Sequence, residues 1–118
     1  MANNQPPEEP SHTWQTQETT ELFEAIASLR TADEVGLFLR DLCTLSELEA
    51  MAHRWQVVRL LEEGLPYLEV SRRTHASTTT VTRVAFWLRH GEGGYRLVLD
   101  RLRRRRTRPA APRPKTTA

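Results

Sequence analysis

The chain is poor in the residues that make cross-links, membrane spans and catalytic clusters. Its single cysteine, Cys43, excludes an intrachain disulfide and fits a reducing cytosol; it reads as a buried small hydrophobe rather than a nucleophile. No apolar run approaches the roughly 20 residues of a membrane span. The first fifteen residues show neither a basic n-region nor an apolar h-region, so no signal peptide and no membrane partner are expected. His12, His53, His75 and His90 are too scattered for a metal site, and Cys43 has no CxxC partner. Neither metal nor cofactor is expected. No Ser/His/Asp series stands on a plausible scaffold, and the pairs Glu47/Glu49 and Glu62/Glu63 read as helix solvation. The glycines Gly91, Gly93 and Gly94 follow a helix rather than a strand and lack phosphate-loop spacing, so they read as a turn. These absences point away from an enzyme.

What the chain does have is a charge gradient. Its 118 residues hold one domain at most, plus tails, and the net charge of +2 hides the asymmetry. Residues 1–64 carry four arginines against twelve acids; residues 65–100 carry five against three. Residues 101–118 carry seven arginines and one lysine with no acid. Positive charge that accumulates toward one end suits a body facing solvent or a partner subunit and an end facing a polyanion.

Hydrophobic spacing predicts an all-α domain over residues 18–102, between a disordered arm (1–17) and a basic disordered tail (103–118). Leu22, Phe23, Ile26 and Leu29 place a first helix over Thr20 to Leu29. A second begins at Thr31, with Glu34 three residues on as a capping pattern. Its Val35, Leu37, Phe38, Leu39 and Leu42 leave so little polar surface that burial in a dimer is expected. A third is capped by Thr44 or Ser46, carries Glu47 and Glu49 in its first turn, and stops at Gly64. Its stripe is Leu48, Met51, Ala52, Trp55, Val58, Leu61 and Leu65. Pro66 starts the fourth. The last runs from Tyr95 to about Leu102, with Tyr95, Leu97, Val98 and Leu102 partly inward.

The stretch from Leu68 to Arg83 reads as two short helices joined by a tight turn. Leu68, Val70 and Thr74 of the first can turn inward; Val81, Val84 and Phe86 to Leu88 of the second form its buried stripe. Threonine is a mediocre helix former, so four between 78 and 82 call for another reason. Short hydroxyls reach phosphates and base edges, and arginine forks onto guanine or phosphate. That is the requirement of a helix-turn-helix recognition helix. The DNA-facing candidates are Ser71, Arg72, Arg73, His75, Ser77, Thr78, Thr79, Thr80, Thr82 and Arg83, with Arg103, Arg104, Arg105 and Arg106 as a clamp on the phosphate backbone. His75 stands where such turns usually carry glycine, and histidine tolerates positive φ. The lesser alternative is that the threonine run is a capping cluster, which leaves a purely structural hairpin open. The expected function is a homodimeric, sequence-specific transcriptional regulator on double-stranded DNA. The alternative is a helical interaction protein whose basic tail binds nucleic acid without specificity.

The runs from Asp41 to Arg54 (DLCTLSELEAMAHR), Val57 to Gly64 (VVRLLEEG) and Ala76 to Arg83 (ASTTTVTR), then Gly91, Tyr95 and Leu99 to Leu102, resemble the Trp repressor superfamily, and its YerC/YecD branch in particular. The resemblance covers about residues 20–102. It implies a six-helix fold and an intertwined homodimer in a bacterial cytoplasm, associated with the nucleoid. Trp repressor is a standard helix-turn-helix example. In tryptophan-sensing members the corepressor lies between two arginines with a threonine nearby, which match Thr44, Arg54 and Arg83. The small residues that follow the second arginine there match Val84 and Trp87 here. Large groups overfill such a site, so Trp87, Val84 and Phe86 are expected to be partly buried, with one of them in the corepressor's space. The protein would then bind DNA without tryptophan, and no small-molecule effector is expected.

Overall fold

A computed structural model describes residues 13–107. Among them stand six helices and no strand: α1 (Gln17–Ala27), α2 (Ala32–Leu42), α3 (Leu45–Glu62), α4 (Tyr67–Thr74), α5 (Thr78–His90) and α6 (Gly94–Thr107). The all-α, six-helix expectation holds. Residues 1–12 and 108–118, most of the expected arm and tail, lie outside the described residues.

Polar caps fix most helix starts. Thr16 accepts from the Thr19 amide and Thr19 answers with its hydroxyl, a reciprocal box that starts α1 three residues before the expected Thr20; the helix also stops at Ala27 rather than Leu29. Thr31 accepts from the Glu34 amide, but the Glu34 carboxylate bonds the Arg30 amide, one residue further out than in a box. At α3, Thr44 and Glu47 close a complete box at 3.1 and 2.8 Å. Its far end is a Schellman turn: the Gly64 amide bonds Leu61 O and the Leu65 amide bonds Leu60 O, with Gly64 at φ 87°. Pro66 is the N-cap of α4 rather than its first helical residue.

α3, α4 and α5 pack on one another around Val57, Val58, Leu60, Val70, Val81 and Val84, and Leu99 of α6 completes the core. Val57, Val58, Val70 and Val81 are fully enclosed, and each contributes about 1.5–3 kcal/mol of burial. The expected stripe of α3 was too narrow. Val57 and Leu60 lie off it and are buried, whereas Ala52 is exposed. A helix enclosed from several directions shows no single face.

Three further expectations are corrected. Leu68 is 75% exposed, not inward: the short α4 offers the core only the face of Val70 and Thr74. In α6 it is Leu99 that turns in, while Leu97, Val98 and Leu102 point outward. And α6 does not stop at Leu102. It continues to Thr107, so Arg103 to Arg106 are helical rather than part of a disordered tail. Arginine is a good helix former, and cations suit the negative end of the helix dipole.

The N-terminal helices behave differently. Neither α1 nor α2 contains a buried residue, and their Phe23, Ile26, Leu37 and Leu42 stand exposed, as does Leu45 at the start of α3.

Candidate nucleic-acid interface

The α4–turn–α5 unit is held by a short network of hydroxyls and carbonyls. Thr74, nearly fully buried, donates its hydroxyl to Val70 O at 2.8 Å and accepts the Ala76 amide at 3.2 Å. Between them His75 adopts φ 62°, the left-handed geometry that ends α4. The Ser71 hydroxyl donates to Ala76 O across the turn. From α3, a ring nitrogen of His53 lies 2.7 Å from Thr74 O, which fastens the turn to the long helix. A ring N–H must be the donor, because a carbonyl oxygen only accepts.

Ser77 caps α5, accepting the Thr80 amide at 3.1 Å, and its hydroxyl bonds that of Thr80. The hydroxyls of Ser71, Ser77 and Thr80 are therefore spent on holding the unit together. Thr78, Thr79, Thr82 and Arg83 remain exposed along one side of α5, while Val81, Val84 and Ala85 are buried on the other. Arg83 forms no ion pair with any described residue. Below them Arg72 and Arg73 both bond Glu69, at 2.6 and 2.8 Å. The Arg72 and Arg73 bonds hold the Glu69 carboxyl below the usual glutamate range. These guanidiniums are more than half exposed. Ion pairs of that kind are weak, so a phosphate can displace the carboxylate.

Of the four pocket candidates, three come together. A cavity of about 830 Å³ opens between α3 and α5, and Arg54, Arg83 and Trp87 line it with His53, Val84 and Tyr95. Thr44 is absent from it. As the cap of α3 it lies ten residues before Arg54, roughly 15 Å along the helix at 1.5 Å per residue. Trp87 and Val84 are at least half-buried, as expected, and Phe86 packs edge-on to Trp87 with ring centroids 5.9 Å apart. None of the three fills the space. Trp87 and Val84 form its wall and Phe86 lies outside it, because the Phe86 ring is turned toward His90, 4.8 Å away.

Arg103, expected among the backbone contacts, bonds Glu62 of α3 at 2.8 Å. Glu62 also receives both Arg96 nitrogens, at 2.9 and 3.0 Å. The Arg96 bonds chiefly draw its carboxyl below the usual range, against an upward push from desolvation. Sequence reading took Glu62 for helix solvation; its partners lie 34 and 41 residues away, and no local pattern marks such a pairing. His53 was missed for the same reason, its carbonyl partner standing 21 residues on. Among the described residues no group of three His, Cys, Asp or Glu side chains could hold a metal, and no helix is long and apolar enough to cross a membrane.

Residues 17–103 match the family of the Trp repressor protein. The chain is 39% identical over 90 residues to the uncharacterised protein YerC of Bacillus subtilis (strain 168), covering 76% of this chain and 86% of that one. It is similar to the solved structure of a TrpR-like protein from Eubacterium eligens ATCC 27750, at 40% identity and a TM-score of 0.71 over 75% of this chain and 91% of that one. A solved Staphylococcus aureus chain gives 34% identity and the same TM-score, over 75% and 89%.

Proposed function

Because the chain belongs to the Trp repressor family, we propose that it is a homodimeric, sequence-specific DNA-binding transcriptional regulator that inserts α5 into the major groove. One observation carries the reading. α5 is buried through Val81, Val84 and Ala85 and presents Thr78, Thr79, Thr82 and Arg83 outward as a continuous polar edge. Thr79 and Thr82 supply base-edge contacts, Arg83 forks onto guanine or phosphate, and Arg72, Arg73 and His75 approach the backbone beside the turn. Ser71, Ser77 and Thr80 serve by fixing the angle between the helices.

The exposed Phe23 and Ile26 of α1 and Leu37 and Leu42 of α2, with Leu97, Val98 and Leu102 of α6, support pairing with a second copy. Apolar side chains over three helices are more than a lone soluble chain leaves uncovered. Val84 and Trp87 support DNA binding without tryptophan. They place an apolar wall where tryptophan-sensing relatives carry small residues, one of which makes a polar contact.

The experiment is selection of bound duplexes from random sequence with the full chain, followed by competition against random DNA. Half-sites in a palindrome about one helical turn apart are expected. Thr79→Ala should relax the base preference, and Arg83→Ala should weaken binding to all sequences. Enrichment of no sequence would refute the reading; binding carried by the C-terminal arginines alone would favour the interaction protein. Calorimetry with L-tryptophan should show no saturable heat at millimolar ligand.

A further inference from the structure

Away from the recognition helix, the densest charge in the described chain is the end of α6. Arg101 and Arg103 to Arg106 stand on a helix whose sequence has no acid after Asp100. Two arginines of this helix are engaged by one carboxylate. Glu62 holds Arg96 by both nitrogens and Arg103 by a third bond, and Asp100 lies 3.7 and 3.9 Å from the same two guanidiniums. The Glu62 side chain is only 26% exposed. A two-pronged, partly sheltered pair within a network is stronger than an ordinary surface ion pair. Arg105 and Arg106, by contrast, are exposed and have no carboxylate partner among the described residues. Glu62 lies nine residues beyond His53, the residue that touches the recognition turn. At 1.5 Å per residue this puts the clasp roughly 13 Å along α3 from that turn.

We propose that the C-terminal half of α6 is a second DNA surface, gripping duplex phosphates without reading bases, and that Glu62 limits its strength by withholding Arg96 and Arg103. The proposal rests on the chain being a DNA binder but not on α5 being selective. The chemistry of the segment names the partner. A guanidinium at nearly every residue suits a polymer with one charge per roughly 1.7 Å of axis. Residues 103–107 carry no ring on which single-stranded bases could stack, and no apolar side chain to enter a lipid interface. Arg105 and Arg106 make the contact, while Arg103 is held back by Glu62 and adds to it only on release.

The test is the salt dependence of the full chain's affinity for a duplex DNA of random sequence. Each phosphate contact contributes about 0.9 to the slope of log affinity against log salt. Glu62→Gln should steepen the slope by about 0.9–1.8, as one or two arginines are released, and should raise affinity several-fold at low salt. Adding Arg103→Gln to it should remove about half of the gain. In the wild-type background Arg103→Gln should leave the slope unchanged, whereas Arg105→Gln with Arg106→Gln should lower it by about 1.8. A Glu62→Gln chain with normal helicity and an unchanged slope overturns the proposal. If that variant fails to fold, equal slope losses for Arg103→Gln and Arg105→Gln overturn it instead. Equal affinity for single-stranded DNA or for an acidic protein of matched charge also overturns it. Preference for a selected site over random DNA is a separate readout: its absence defeats the α5 reading and leaves this one standing.

Discussion

Leu37→Ala is the sharpest probe of pairing, because the same substitution at Leu68 supplies its control. Both leucines stand open in the single chain, at 72% and 75% exposure. Leu37 belongs to the apolar surface of α2, whereas Leu68 sits alone on α4 beside Glu69 and its arginines. Fully burying a leucine is worth about 1.5–3 kcal/mol, so covering the open share of Leu37 contributes about 1–2 kcal/mol per copy. A two-fold interface counts each residue twice, which makes about 2–4 kcal/mol per dimer. At 1.4 kcal/mol per factor of ten, Leu37→Ala should raise the dissociation constant about 30- to 700-fold. Leu68→Ala, like most surface substitutions, should change it by less than about 0.5 kcal/mol. Sedimentation equilibrium over a range of chain concentrations measures both. Equal shifts for the two variants, or a wild-type chain that stays monomeric throughout, would refute the reasoning.

The other predictions concern the turns and the clasp. Thr74→Val should destabilise by about 1 kcal/mol, since a stranded Ala76 amide costs more than the added methyl returns; Thr74→Ser keeps the hydroxyl and should retain DNA affinity where Thr74→Val loses it in gel-shift titration. Gly91→Ala sets a methyl 2.5 Å from the Trp87 carbonyl oxygen and 3.2 Å from its ring, an overpacking worth about 1–3 kcal/mol that should lower the urea midpoint at fixed chain concentration. Glu62 has a lowered carboxyl pKa in the folded chain, so its contribution is full above the unfolded glutamate range and fades as pH falls through the folded value. The stability gap between wild type and Glu62→Gln should therefore be widest near neutral pH and close in acid, as followed by urea unfolding at several pH values.

Local rules made most of this fold legible. Thr44 with Glu47, Thr31, Gly64 and the left-handed His75 each act within a few residues of themselves, and a sequence displays such features directly. Burial of Val70, Thr74, Val81 and Val84 followed from helical spacing. The failures share a different origin. Leu68 and Leu99 were misplaced because a helix with apolar residues on more than one side can offer its core face in more than one rotation, and contacts distant in sequence decide which. The end of α6 was misjudged because a run of arginines has the composition of a disordered tail, while Glu62, far upstream, neutralises part of it. In the candidate site the outward threonines and Arg83 were readable, but the diversion of Ser71, Ser77 and Thr80 into the turn was not. A hydroxyl that caps and one that faces a ligand look alike until the backbone is closed. Trp87 was correctly sent inward. That it would wall the cavity rather than fill it was not legible, because spacing places a side chain on a face without fixing its rotamer.

The absence of any buried residue in α1 and α2 has a genetic consequence. On the proposed pairing these helices serve the second copy and not the core of their own chain, so loss of the outward residues of α5, with Val81, Val84 and Ala85 kept, leaves them able to seek it. A chain with a ruined recognition helix would still be drawn into mixed pairs, each left with one working half. Such an allele would act over its wild type instead of being masked by it. Damage to the surface around Phe23 and Leu37 would be recessive, because those chains would be left out of the pairs altogether.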